Sequence, residues 1–314
     1  AGGPTGVENL NFRLDASDNS TDGYVANNHS EYRAVAGSLG WQPAADTKVT
    51  WYETYLQDST QNYYGTPVVY DAVVNATTGV ESVGQASAAI DRLVNAHLDP
   101  ATLGLNYDNL DNFVHAENSF SRLVVDQRLG EHWSLSNAVY VATQHLNWRN
   151  TESYTWNPAT QLVHRSSFLL IWRQEQQIGD QISVKLDAPI AGRANQLLLG
   201  GVYDDNHQGR NSGQTGYPGS PAPADVPLTG FDEGLGPDAS YMKTVEVITK
   251  TSAAYAEDVF EPLPALKLVG GVRYDHIDLN RISYIGAAPF STTYNPLTVR
   301  WGILYDVTPK LNVS

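Results

Sequence analysis

The chain of 314 residues contains no cysteine and a single methionine. Without cysteine there is no disulfide framework, no thiolate nucleophile and no cysteine-bound zinc or iron–sulfur centre. Basic residues are also scarce: Lys and Arg total 19 against 34 Asp and Glu, a formal net charge of −15. Nucleic-acid binding needs clustered Lys and Arg to neutralise phosphates, so nucleic acid is excluded as a partner. Long apolar runs are missing as well. No stretch approaches the ~18 consecutive apolar residues of a membrane-crossing helix, and mean hydropathy is −0.33. A helical membrane protein is thereby excluded, but a membrane β-barrel is not, because barrels cross with short alternating strands and keep polar residues inside. The first residues, AGGPTGVENL, show neither the basic region nor the apolar core of a signal peptide, so the chain reads as mature, trimmed or a fragment. Catalytic signatures are missing too, with no G-x-S-x-G, HExxH, P-loop or GxGxxG. The eight histidines show no metal-ligand spacing. Neither an enzyme nor a bound cofactor or metal is expected.

What the chain does hold is a polar kind of aromatic, 18 Tyr and 7 Trp against 7 Phe. Tyr and Trp have an apolar body and a polar tip, which suits membrane-interface girdles and carbohydrate-binding β proteins alike. It also holds a repeated alternation. In the stretch Leu266 to Asp275, Leu266, Leu268, Gly270, Val272 and Tyr274 share one face, opposite Lys267, Val269, Gly271, Arg273 and Asp275. Side chains of a strand alternate faces with period two, so this is a strand with one apolar and one largely polar face. Leu297, Val299, Trp301, Ile303 and Tyr305 repeat it against Thr298, Arg300, Gly302, Leu304 and Asp306.

The same signal recurs from the N-terminus: Leu10 to Ala16, Tyr32 to Trp41, and Lys48 to Asp58, where Glu53 breaks the apolar face. It resumes at Phe120, then Trp133 to Ala142, Leu162 to Ala188 with a bend or bulge expected at Gly179-Asp180, and Asn195 to Asp204. Connections alternate in length. Short ones fall at Pro43, Gly130, Pro189, Pro262 and Pro309, whereas Ser59 to Asn118 and Asn206 to Lys243 are very long and NWRNTESYTWNPATQ reads as a medium loop. Within the first long loop, Ile90, Leu93, Val94 and His97 fall at helical spacing, so a short helix is expected over Ser87 to His97. All the long loops lie at one end, as in up-and-down barrels of outer membranes.

Several segments carry a family resemblance: Trp41-Gln42-Pro43 with its flanks SEYRAVAGSLGWQPAADTKVTWYETYLQD, the Ala253 to Asp258 strand, and Gly270-Gly271-Val272-Arg273-Tyr274-Asp275 leading to TVRWGILYDVTPKLNVS. In these the chain resembles the barrel of TonB-dependent ferric-siderophore receptors, and the likeness covers nearly all of it. The resemblance implies an all-β fold, an antiparallel up-and-down transmembrane β-barrel segment of about 10–11 strands out of a barrel of about 22 with a plugged lumen. The expectation is thus a partial barrel domain over residues 1–314, with the plug and the C-terminal strands outside it. It further implies a parent protein in the Gram-negative outer membrane, embedded in outer-membrane lipid. That parent imports ferric siderophores whose iron is held by the ligand, and it draws on the TonB-ExbB-ExbD complex through the plug. Ligand contacts would then come from aromatic and basic residues of external loops and upper lumen: Tyr63, Tyr64, Tyr107, Trp148, Arg149, Tyr154, Trp156, Arg210 and Tyr241. Each of these also fits an interfacial girdle or loop packing. The sparse basic residues of the loops favour a weakly charged complex such as a hydroxamate over a highly anionic catecholate.

The rival readings are a passive porin-like barrel and, from other classes, an outer-membrane hydrolase or a soluble carbohydrate-binding β protein. A half barrel leaves two unpaired strand edges, which lipid cannot satisfy and which invite aggregation in water. The isolated chain is therefore expected neither to transport nor to fold stably. Size-exclusion chromatography with thermal melting checks this, and a soluble monomer with a cooperative melt contradicts it.

Overall fold

The alternating segments form one antiparallel meander in the computed structural model, which describes residues 1–86, 90–213, 223–308 and 311–313. The wall opens with β1 (Gly2–Pro4), β2 (Leu10–Thr21), β3 (Ser30–Ala44) and β4 (Thr47–Thr60). A long excursion then carries three short strands, β5 (Ala72–Val74), β6 (Glu81–Ser82) and β7 (Arg92–Val94). The wall resumes with β8 (Phe113–Leu129), β9 (Trp133–Asn157), β10 (Leu162–Asp187) and β11 (Asn195–Ser212). A second excursion holds β12 (Val226–Pro227), after which come β13 (Met242–Leu263), β14 (Leu266–Ser283), β15 (Phe290–Tyr294), β16 (Leu297–Thr308) and β17 (Leu311–Val313). Leaving aside the excursion strands and β15, each wall strand pairs with its predecessor and its successor in sequence. This is the all-β up-and-down arrangement expected.

Register fixes which side chains share a face. Leu268, Val272 and Tyr274 of β14 stand opposite Ile303, Val299 and Leu297 of β16. Trp51 of β4 stands opposite Leu39 of β3 and Leu123 of β8. The polarity is inverted relative to a water-soluble sandwich. Val272 is 43% exposed, Tyr274 48% and Trp41 47%, whereas Asp275 on the other face is buried. A sheet that turns its apolar face outward and half-buries its polar one matches a wall whose outer face meets hydrocarbon. On β14 the apolar run from Leu266 to Tyr274 spans eight residue steps, about 27 Å along the strand and roughly 20 Å of height at barrel tilt. Above Tyr274 the same face turns polar with His276, Asp278 and Asn280. Aromatics bracket the band, Trp41, Trp133 and Phe260 near the short turns, Tyr55, Tyr203 and Tyr274 toward the other end. Glu53 does lie on the outward face, between Trp51 and Tyr55 and opposite Gly37 and Ser121.

Several expectations are corrected. The stretch read as a medium loop is strand: β9 and β10 run 25 and 26 residues and rise far above the ~10 residues a membrane strand needs. Their tip turns within 158–161, closed by Gln161 N–H to Asn157 C=O at 2.8 Å. The long loops shrink accordingly to 61–112 and 213–241, because flanking strands extend into them. The expected helix is not formed where it can be seen. Residues 87–89 lie outside the described residues, and Arg92–Val94 pairs as a strand with Ala72–Val74. Its β-branched Val94 and cross-strand partners outweigh the helical spacing. No bulge forms at Gly179, since pairing runs through it to Tyr140 and Asp204 without a shift. That glycine instead makes room for the Tyr140 ring, which occupies the space of a Cβ, and Gly200 does the same for Tyr255.

Outward and inward substitutions on β14 separate the two faces. In the barrel that contains this chain, Val272→Arg is expected to destabilise by about 2–4 kcal/mol, and Val269→Thr on the opposite face by under about 0.5 kcal/mol. Urea titration of the barrel in lipid vesicles measures both. Equal effects would mean that the faces are assigned wrongly.

Candidate ligand-binding site

The wall has no interior of its own, so the apolar core gathers instead where the loops meet the tall β9–β10 hairpin. Tyr70, Val73, Tyr107, Trp156, Val163 and Val226 are buried there, with Leu105, Tyr154, Leu228 and Phe231 packed against them. The hairpin supplies Trp156 and Val163, which are cross-strand partners, and β12 adds Val226 beside Val163. Tyr70 and Trp156 lock reciprocally. The Tyr70 hydroxyl donates to the Trp156 carbonyl at 2.6 Å, and the indole N–H donates to the Tyr70 carbonyl at 3.0 Å. Tyr107 stacks on Phe231 with centroids 4.9 Å apart and donates to the Leu228 carbonyl at 2.6 Å.

Buried amides and one guanidinium tie three separate loops into this unit. Asn106 donates to the carbonyls of Asn27 and Asn62 at 2.9 and 2.8 Å. Arg165, only 3% exposed, donates to the Ala224 and Glu233 carbonyls at 2.7 and 2.9 Å. Asp108 is the most constrained member. Its carboxylate accepts from the backbone N–H of Thr151 at 2.7 Å and of Asn109 at 2.8 Å, yet its second oxygen has no partner. Burial pushes its pKa up to about 7, against the pull of those two hydrogen bonds and of Arg165.

The nine residues expected to meet ligand divide between this core and the surface around it. Tyr107, Tyr154 and Trp156 belong to the packed core, where desolvation pushes the Tyr107 phenol up to about 12. There their rings pack against one another and their neighbours, and the sequence shows only that they are aromatic. Arg149 is a latch: it pairs with Asp111 at 2.9 Å, lies over the Phe168 ring at 5.4 Å and donates to the Pro237 carbonyl at 3.1 Å. Tyr241 is partly exposed and bonds to Asn147. Tyr63 and Tyr64 stay near the surface, Tyr63 edge-on to Tyr24 at 6.1 Å. Tyr24, 83% exposed, is an aromatic that the sequence reading passed over. Tyr64 is 40% exposed, and burial pushes its phenol up to about 12.

Below this aromatic edge, the polar face of the wall presents a second group. Arg173 and Arg210 are direct cross-strand partners, two register steps above Glu175 and Gln208 on the same face. Glu175 accepts from Asn206 at 2.8 Å and from Gln208 at 3.1 Å, and Asn118 and Gln144 bond each other at 2.9 Å. The Arg173 Nε is buried and has no partner. A cavity of about 430 Å³ opens on this face, lined by Leu56, Phe120, Asn118, Gln144, Glu175 and Gln177. Arg173 and Glu175 escaped the sequence reading because they lie inside a long polar strand, RQEQQ, with no motif around them. Among the described residues no cluster of three or more His, Asp or Glu is placed to hold a metal ion. The arrangement is suited to binding a solute by stacking and hydrogen bonds, with a guanidinium for a partial negative charge.

Comparison with known proteins gives one family and a consistent set of structural neighbours. The family described as TonB dependent receptor-like, beta-barrel matches residues 40–314. Among solved structures, the siderophore receptor PiuA of Acinetobacter baumannii superposes with a TM-score of 0.77 at 14% identity, over 98% of this chain and 44% of that one. BauA, the ferric preacinetobactin receptor of the same organism, gives 0.78 at 14% identity, over 99% and 43%. Pseudomonas aeruginosa FpvA, solved with bound pyoverdine, gives 0.76 at 12%, over 98% and 38%. The chain thus spans less than half the length of these structures. None of the curated proteins matches the sequence.

The Asp108 knot makes loop docking depend on pH. Its folded pKa of about 7 lies above the ordinary 3.8, so the stability it lends is full below about pH 4 and is lost as pH rises through about 7. Hydrogen exchange of the Asn106–Asn112 amides, corrected for intrinsic rates, is expected to be slower at pH 5 than at pH 8. Asp108→Asn, which keeps an acceptor but no charge, should abolish the difference. A pH difference that survives this substitution would acquit Asp108.

Proposed function

The chain belongs to the TonB-dependent receptor-like β-barrel family, and on that premise we propose that it is part of an outer-membrane receptor for TonB-dependent uptake of ferric siderophores. The observation that carries this reading is the stitched loop unit on the tall β9–β10 hairpin, above a polar face with an aromatic edge and an arginine pair. A passive pore has little use for loops that bury a core of their own, whereas a receptor must fix its recognition surface before ligand arrives. The siderophore-receptor descriptions of PiuA, BauA and FpvA point the same way. The family and these neighbours are receptors, and no enzymatic role is assigned.

In this reading the ferric complex enters at the open end and stacks on Tyr24, Tyr63 and Tyr64. It then meets Arg173 and Arg210 on the upper polar face, with Glu175, Gln208 and Gln144 as hydrogen-bonding neighbours. Iron stays in its organic ligand as cargo. Glu175 sits beside the arginine pair and leaves little excess positive charge, which fits a weakly charged complex better than a highly anionic one. Energy would reach the barrel from TonB-ExbB-ExbD through a plug segment.

Uptake of a radiolabelled ferric siderophore tests the proposal in iron-starved cells whose only receptor is the parent protein. Uptake is expected to require intact TonB. The double substitution Arg173→Ala with Arg210→Ala should weaken binding of the ferric complex about tenfold, equivalent to ~1.4 kcal/mol. Uptake that persists without TonB would make the barrel a passive channel.

A further inference from the structure

The polar face of the wall has one apolar interruption. Among the described large apolar side chains that stand exposed on β2, β3, β4, β8, β9, β10, β11, β13 and β14, tyrosines apart, Phe120 alone faces inward, 38% exposed. The register sets it in a row with Ala36, Thr54 and Ala142, all too short to cover its ring. The next row toward the loops holds Ala34 and Leu56. Thr54, Leu56, Phe120 and Ala142 line the cavity of about 430 Å³, and the two alanines carry the apolar tract on to β3. Polar residues edge this tract, but they are hydrogen-bonded to one another. Gln144 donates to Asn118 at 2.9 Å, and the Tyr140 hydroxyl and Gln177 both donate to Asp204 at 2.7 Å. Glu175 is taken up by Asn206 and Gln208. What the tract offers an occupant is therefore apolar contact and release of water. An apolar patch exposed within a polar surface marks a place for a partner.

We propose that the cargo is amphiphilic: its polar ferric head lies at Arg173 and Arg210, and an aliphatic chain attached to that head lies over Leu56, Phe120 and Ala142. This deepens the uptake reading and rests on it. Continuity selects the occupant, because Glu175 and Gln144 belong both to the surroundings of the head and to the cavity lining. Reach agrees. From Arg173 to the row of Phe120 is four residues along β10, about 13 Å, and Phe120 stands two strands to the side, about 10 Å, so the separation is ~16 Å. A medium-length acyl chain spans that distance. The cavity volume falls within the range of small-molecule sites, about 300–1,000 Å³. A chain fills it without requiring a hydrogen bond from its wall, whereas a head without a chain leaves the Phe120 ring wet.

The test uses the full parent barrel in nanodiscs and two neutral ferric trihydroxamates that differ only in a decanoyl chain. Binding of the radiolabelled complexes is measured with the counts of empty nanodiscs subtracted. The chain-bearing complex is expected to bind about tenfold more tightly or better, since each methylene taken out of water is worth about fourfold in affinity. Phe120→Ser with Leu56→Ser should remove that preference, and Phe120→Leu, which restores an apolar side chain, should keep most of it. Partitioning of the chain into the bilayer is blind to these substitutions, so a preference that survives the double serine variant overturns the proposal. Equal binding of both complexes by the native barrel overturns it and leaves the receptor reading standing, while binding of neither overturns both. A serine variant that melts lower with its chain preference intact would give the tract to the plug and overturn the proposal as well.

Discussion

Hydrocarbon offers no hydrogen-bonding partner to a backbone amide, and each group left unpaired there costs several kcal/mol. Everything else in this chain is arranged around that constraint. The meander pairs each long strand with its neighbours in sequence, so the ladder is completed by local connections. With the backbone satisfied in the sheet, side chains are free to follow solvent on each face. Val272 and Trp301 therefore point out while Arg273 and Asp275 point in, the reverse of a protein that folds around an oily core.

The same constraint explains where the core went. A wall one layer thick has no interior, so the apolar residues not needed for the band collect above it, in the loops. Tyr70, Tyr107 and Trp156 bury their rings there and satisfy each polar tip with a backbone carbonyl of another segment. Three loops far apart in sequence become one body, and Asp108 ties that body to β9 through the Thr151 amide. The inner and outer faces of the wall then both rise with the tall β9–β10 hairpin.

The wall was legible in the sequence because alternation is a local property. Leu266 to Tyr274 and Leu297 to Tyr305 announce their faces without any knowledge of partners, and the short turns are marked by Pro and Gly. Less legible were features decided at a distance. Asn147 to Asn157 carries polar residues on both faces, since it stands clear of the membrane and faces water and loops, so period two fades although the strand continues. Arg92–Val94 had helical spacing around it but became a strand because Ala72–Val74 was there to pair with it. Tyr107 and Tyr64 look alike as loop tyrosines, and only three-dimensional packing buries one and leaves the other near the surface. Asp108 is one acidic residue among 34 until its burial is seen.

The central claim is that the apolar face of the wall meets lipid and the polar face meets water. The absence of native cysteine makes it directly measurable. Single cysteine substitutions at successive positions from Lys267 to Tyr274, in the membrane-inserted parent barrel, are treated with a water-soluble maleimide and, separately, carry a spin label relaxed by lipid-dissolved oxygen. The account predicts strict alternation: oxygen relaxation at Leu268, Gly270, Val272 and Tyr274, and aqueous labelling at Lys267, Val269, Gly271 and Arg273. Aqueous labelling at Leu268 and Val272, or a pattern without period two, would contradict it.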